Sequence, residues 1–259
     1  ISASYTSRNG GGIACAFNSN PLINNCVIKD NTAQESGGGI DCYQSSPEIS
    51  STVIRMNTTL NNDSGGISCR LGSSPSISSC EILDNTAGDF AGGIGCYNSS
   101  NPIITDCQIS GNHAEQWGGG IRCFENSDAE ITNCIIDSNS CNYSGGGLLL
   151  YKCNPTILNT EIFNNEAGEN GGGIHLTISD PFISNCNIYS NIAIDSGADL
   201  FCKKSSPIIK NSTKFGDSSL TFDSKFISEG INNTGEIRSD NQFGPCEIVV
   251  LSDSFLSPE

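Results

Sequence analysis

Eight times along the chain a glycine-rich bend, most often Gly-Gly-Gly, runs into an aliphatic residue: Ile13, Ile40, Ile67, Ile94, Ile121, Leu148, Ile174 and Leu200. Successive anchors lie 27 residues apart five times and then 26 apart twice. A fixed period of this size marks one structural unit stacked on copies of itself, so coils rather than domains measure the chain.

Aligning the coils on the anchor separates columns. Two places on stand Cys15, Cys42, Cys69, Cys96, Cys123, Leu150, Leu176 and Cys202, while the residues beside them vary; this period-two pattern is that of a half-buried strand. A second column, Cys26, Thr52, Cys80, Cys107, Cys134, Thr160, Cys186 and Ser212, is followed two residues later by Ile28, Ile54, Ile82, Ile109, Ile136, Ile162, Ile188 and Lys214, which predicts a second strand. Between the two sits a proline, Pro21 in the first coil and Ala129 in its place in the fifth. Proline fixes a corner and is excluded from the middle of a ladder. After the second strand seven coils carry Asn31, Asn57, Asn85, Asn112, Asn139, Asn165 or Asn191. Asparagine tolerates left-handed turns, and its amide can bond the neighbouring coil, so these residues predict a ladder.

Strands one repeat apart in sequence and adjacent in space must be parallel. The fold expected is therefore all-β, a single-stranded parallel β-helix (β-solenoid) of about eight coils with 26–27-residue repeats, right-handed by the general rule for parallel crossovers. At about 4.8 Å per coil it makes a rod of roughly 35–40 Å. Residues 1–214 form the solenoid, with Ile1–Arg8 reading as the tail of an earlier coil. Residues 215–259 read as a non-repeating C-terminal cap or assembly segment, bringing Phe215, Phe222, Phe226 and Phe243 and the strand-like run Glu247–Leu251. An open solenoid edge invites strand addition, so the chain itself, head-to-tail or laterally, is one expected partner.

The repeat resembles those of right-handed β-helix surface proteins such as the polymorphic outer-membrane protein passengers, whose signature pairs Gly-Gly-Ala-Ile-like and Phe-x-x-Asn motifs. The matching pieces are Gly37-Gly38-Gly39-Ile40 and Ile28-Lys29-Asp30-Asn31, with Ile in place of Phe. The resemblance spans residues 9 to about 212. It implies an extracellular or cell-surface, non-enzymatic rod used as an adhesin, a structural scaffold or a filament subunit.

Composition agrees with turns and thin strands: 29 glycines, one Met and one Trp. The net charge of −16 repels a phosphate backbone, which argues against nucleic acid as a partner. The longest apolar run, Leu148–Tyr151, is far short of the roughly 20 residues of a membrane-crossing helix. Most of the 14 cysteines fall in the inward columns, where a thiol packs as a small hydrophobe. Cys141, Cys153 and Cys246 leave those columns and are the better disulfide candidates, Cys141 with Cys153 being nearest in sequence. Asn57-Thr58-Thr59, Asn98-Ser99-Ser100 and Asn211-Ser212-Thr213 match the glycosylation pattern.

Three features bear on function. The column three places after the anchor presents Tyr97, Phe124 and Tyr151 on successive coils, with Arg122 beside them. Such a stripe is either a platform for host or cell-surface glycans or an aromatic ladder that shields the sheet. Ahead of the glycines run Glu35, Asp63, Asp89, Glu115, Glu169 and Asp195, with Asn142 the exception. Stacked carboxylates of this kind are either a solvated face or bridged by calcium; no other cofactor is expected. The alternative function is a pectin lyase-like, polysaccharide-active enzyme. Arg122 is then the base, yet the Asn-Thr-Asp, Gly-Asp-Asp, Gly-His-Gly and Arg-Ile-Lys segments of polygalacturonases do not occur, and His113 and His175 lie more than two coils apart.

Overall fold

The computed structural model describes residues 1–212, together with the backbone of strands Leu220–Phe222, Phe226–Glu229, Ile237–Ser239 and Ile248–Leu251. Every described element is a strand. The first complete coil holds four of them: Ile13–Ala16, Leu22–Asn24, Val27–Lys29 and Thr32–Ala33. Each pairs in parallel, in register, with its counterpart one repeat on; Cys15, Cys42, Cys69, Cys96 and Cys123 are successive partners. The anchor sheet and the sheet of Leu22–Asn24 contain ten strands each, the sheet of Val27–Lys29 seven, and the short sheet of Thr32–Ala33 eight. The parallel β-solenoid of about eight coils is thus the fold.

Two strands per coil were expected from the columns, and the structure has four. The additional inward column is Ile23, Ile49, Ile77, Ile104, Ile131, Ile157, Ile183 and Ile209, placed directly after the proline corner. The short strand carries a column of small residues, among them Ala33, Thr59, Ala87, Ala114, Cys141 and Ala167. Left-handed corners let so many strands fit in one coil. Asn25, Ser51, Ser79, Asp106, Asn133, Asn159 and Asn185 all have positive φ at the corner between the second and third strands, where short polar residues pay the least steric penalty.

The asparagine ladder forms as expected. Each ladder amide after Asn31 takes the main-chain N–H and the Nδ2 of the previous asparagine on its Oδ1: Asn85 donates both to Asn112, at 3.0 Å each. Asn112 Nδ2 also donates to Ile82 O at 2.9 Å, and all seven residues are buried. The eighth coil has no ladder asparagine. Asp199 in its Gly-Ala-Asp bend supplies the last acceptor, taking Asn191 N at 3.1 Å and Nδ2 at 2.9 Å. Close approach of coils explains the glycines: a Cβ on Gly92 would stand 2.5 Å from both His113 N and Gly119 O.

The disulfide expectation for Cys141 and Cys153 is corrected. Both are buried free thiols, Cys141 in the small-residue cluster with Ala114 and Ala167, Cys153 in the main core, so they belong to different clusters. Cys246 lies outside the described residues. So does most of the segment assigned to a cap; its four described strands pair in parallel onto the anchor sheet and the sheet beside it. The Asn57 sequon sits inside the ladder with its amide fully hydrogen-bonded, whereas Asn98 and Asn211 are exposed.

Candidate ligand-binding trough

Residues at one and three places after the anchor point outward from the anchor sheet because those between them point in. In register, the first outward column reads Gly95, Arg122, Leu149, His175 and Phe201, and the second Tyr97, Phe124, Tyr151, Thr177 and Lys203. Phe124 and Tyr151 stack with ring centroids 5.1 Å apart and 13° between planes.

Tyr97 does not join them. Gly95, on the same face two residues earlier, has no side chain, and the Tyr97 ring folds into that space: a Cβ there would meet Cε2 and the hydroxyl at 2.5 Å. Tyr97 is 5% exposed, and burial, followed by the nearby Asp63 carboxylate, pushes its hydroxyl well above the ordinary phenol range. The exposed stripe is therefore two rings long, not three.

A second aromatic file, not anticipated from sequence, stands across the sheet on the segment ahead of the glycines. Phe90 and Trp117 stack at 5.4 Å, and Trp117 meets Tyr143 at 5.2 Å. Asp63, Phe90 and Trp117 are bridged in register, so this column begins with one of the carboxylates read as an acidic ribbon and continues as rings. The signal was present in sequence: Phe90 and Trp117 occupy the same place before their anchors. Reading that segment for charge alone hid it.

Between the two files runs a trough of about 400 Å³, with Trp117, Glu169 and Asn170 on one wall, Phe124, Tyr151, Thr177 and Lys203 on the other, and Leu149, His175 and Phe201 along the floor. Arg122 closes one end. Its guanidinium lies 4.1 Å from the Phe90 ring centroid, 4.5 Å from Phe124 and 5.4 Å from Tyr97, with Nη1 3.8 Å from Asp63 Oδ1. The residue is 8% exposed and its Nε has no partner. Held by rings on both sides, Arg122 is a buried strut that fixes the distance between the walls. Asp63, largely buried, has its carboxyl pushed up by burial, with Arg122 opposing. On the floor, His175 stacks on Phe201 at 4.9 Å and its Nε2 meets Thr177 Oγ1 at 2.9 Å, while Nδ1 has no partner. Burial lowers its pKa from 6.5 to about 4. At neutral pH the floor is therefore uncharged.

The acidic residues do not converge. Glu35, Glu115 and Asp195 are exposed, Asp89 accepts from Gln116 Nε2 at 2.6 Å, Glu115 accepts from Asn142 Nδ2 at 3.0 Å, and Glu169 lines the trough. Among the described residues no three His, Cys, Asp or Glu side chains gather as a metal cage. One hydroxyl, imidazole and carboxylate do align on the short sheet: Ser140 Oγ is 2.9 Å from His113 Nδ1, and His113 Nε2 is 3.8 Å from Glu115 Oε1. The amides of Ser140 and Glu166 beside this line are both bonded within the ladder, to Asn112 O and Asn139 O. Neither can serve as the oxyanion donor that acyl transfer needs.

A family model described as right handed beta helix region matches residues 1–88, 24–158 and 92–234 of the chain. No curated protein and no solved structure matches it.

Proposed function

Starting from a chain that belongs to the right-handed β-helix family, we propose that it is a non-catalytic, extracellular or cell-surface scaffold whose adhesive element is the trough, which takes a glycan chain. One observation carries the reading: Trp117, stacked between Phe90 and Tyr143, lines the trough with Phe124 and Tyr151, over an uncharged floor edged by Glu169, Asn170, Thr177 and Lys203. Sugar rings present apolar faces that stack on aromatic rings and hydroxyls that bond polar edges, so alternating walls of this kind suit a saccharide. The rise of about 4.8 Å per coil matches the length of one sugar unit more closely than that of an extended residue pair. Three features support the absence of catalysis: Arg122 is locked among rings, the two histidines lie on different sheets, and the Ser140–His113–Glu115 line has both neighbouring amides engaged. The likeness to polymorphic outer-membrane protein passengers supports surface display. Association with copies of itself, head-to-tail or lateral, is part of the same proposal, as is calcium along the acidic edge.

Trp117 is the single tryptophan and stands in the trough wall, so its fluorescence reports occupancy directly. Titration with neutral and uronic-acid oligosaccharides should give a saturable shift that disappears in a Phe124→Ala, Tyr151→Ala double variant, with no products by mass spectrometry. A flat titration across both sugar classes defeats the glycan reading, and cleavage that is lost in Arg122→Ala defeats the non-catalytic one.

A further inference from the structure

The outer lip of the trough differs in charge from the rest of the rod. One trough wall runs through Tyr151, Thr177 and Lys203 on the sixth, seventh and eighth coils, and the residue after each is Lys152, Ile178 and Lys204. The lip keeps the register of the sheet: Lys152 N donates to Thr177 O and Ile178 N to Lys203 O, each at 3.0 Å. Lys152, Ile178, Lys203 and Lys204 are all exposed. A chain with 28 acidic and 12 basic residues thus gathers three lysines along one side of one trough. Lys152 meets Glu125 only at 3.9 Å, and its Nζ lies 5.0 Å from the Tyr151 ring centroid. An exposed pair at that distance contributes little. Asp128 and Asp180, on the same corner of the coil, accept the main-chain N–H groups of Asn154 and Ser206.

Ile178 supplies a second, independent observation. The place four after the anchor has positive φ in all eight coils, with residues such as Gln44, Asn98 and Lys152 there. Ile178, at 52°, is the only β-branched residue with positive φ among the described residues. A branched Cβ is strained in that conformation, whereas asparagine tolerates it. The side chain is 47% exposed, so burial within the fold does not offset the strain. Strain kept at an exposed place beside a binding surface points to contact with a ligand.

We propose that the glycan held by the trough is an anionic polymer charged at alternate sugars: Lys152 and the Lys203–Lys204 pair each hold one acidic unit, and Ile178 touches the uncharged unit between them. The inference rests on the glycan reading of the trough and adds its charge pattern. Lys152 and Lys204 stand two coils apart, about 9.6 Å. One coil corresponds to one sugar unit, so anions that meet both lysines recur at every second unit. A polymer charged at every unit would place a carboxylate over Ile178. It would also bring more negative charge onto a rod of net charge −16, with Glu169 on the facing wall, where like charges repel. A neutral polymer would draw nothing from the lysines.

The experiment titrates the full chain with three hexasaccharides, read by Trp117 fluorescence at about 0.15 M salt. They are hyaluronan, whose uronic acid recurs at every second unit, oligogalacturonate, charged at every unit, and uncharged cellohexaose. Hyaluronan should bind about tenfold tighter than either of the others, and its affinity should fall as salt rises. Lys152→Gln and Lys204→Gln should each narrow the gap between hyaluronan and cellohexaose about threefold. Lys29→Gln, on another sheet, should leave the gap as it is. Ile178→Asn should raise the melting temperature, because asparagine tolerates the left-handed turn, and at the same time weaken hyaluronan binding. Equal affinity for hyaluronan and cellohexaose overturns the charge pattern while the glycan reading stands; no shift with any of the three removes both. The proposal is also overturned by tighter binding of oligogalacturonate than of hyaluronan, by an unchanged gap in both glutamine variants, or by an Ile178→Asn protein that is more stable yet binds hyaluronan as before.

Discussion

The outer face of the anchor sheet carries two different surfaces on one backbone. In the second and third coils Arg70 clasps Asp41 in a fork, with Nη2 2.8 and 2.9 Å from the two carboxylate oxygens and Nε 3.0 Å from one of them, and lies over the Tyr43 ring at 5.4 Å. From the fifth coil to the eighth the same two columns, in the same register, form the floor and one wall of an open trough. An arginine anchors each region, one satisfied by a carboxylate and closing its surface, the other held by rings and leaving the space beside it open. The inward columns barely change between the regions, so the ladder sets position and the outward residues set chemistry.

If that division holds, a ladder residue should cost the same in both regions, and this is the largest effect expected. Asn57→Ala and Asn139→Ala each leave a buried N–H of the preceding asparagine and a buried carbonyl, Ile28 O or Ile109 O, without a partner. Each should lower stability to urea by about 3–5 kcal/mol. A large difference between them would mean that the trough coils have their own source of stability.

The two arginines should separate more sharply. Asp41 is 3% exposed, and Asp41→Ala strands Arg70, a loss of about 3 kcal/mol. Asp63→Ala should cost less than about 1 kcal/mol, because Arg122 meets Asp63 only at 3.8 Å and keeps its three rings. Equal losses would show that Arg122 depends on its carboxylate as Arg70 does.

Acid should act on the trough region first. His175 is lowered by burial from 6.5 to about 4, so the folded state prefers it neutral. Its contribution is complete above the unfolded value of about 6.5 and is lost as pH falls towards 4, where the unfolded chain binds the extra proton. The loss should reach roughly 2–3 kcal/mol by pH 4. His175→Phe, stacked on Phe201 in the same way, should flatten that stretch of the melting-temperature profile, while an unchanged slope would place the acid sensitivity elsewhere.

The parts of this architecture that sequence revealed are those repeated with one meaning. Cysteine, isoleucine, asparagine and glycine columns fixed coil, core and ladder because each repeats a burial or turn requirement. The Ile23 column was hidden where apolar residues are adjacent, as at Ile103-Ile104 and Ile208-Ile209, since period two is not visible in a run. Asp199 finished the ladder from a bend rather than from the asparagine position, a contact made only in space. The trough was half legible: Phe124 and Tyr151 were in the expected stripe, but the direction of Tyr97 depends on the absent side chain of Gly95, and the Trp117 wall lay in a column read for its acids.

The smallest stability effect should carry the clearest functional difference. Tyr43 and Tyr151 occupy the same outward column, and each contacts one ring, Phe17 at 5.5 Å for Tyr43 and Phe124 at 5.1 Å for Tyr151. Truncating either to alanine removes one aromatic pair, about 0.5–1.5 kcal/mol, so their melting temperatures should fall together by a few degrees at most. Oligosaccharide binding read from Trp117 should respond to only one of them. Tyr151→Ala strips half of the wall facing Trp117 and should weaken binding about tenfold, equivalent to roughly 1.4 kcal/mol. Tyr43→Ala, three coils before the fifth-coil end of the trough, should leave it unchanged. Equal weakening by both variants would mean that sugar is bound along the whole outer column, and the division between a sealed and an open region would have to be given up.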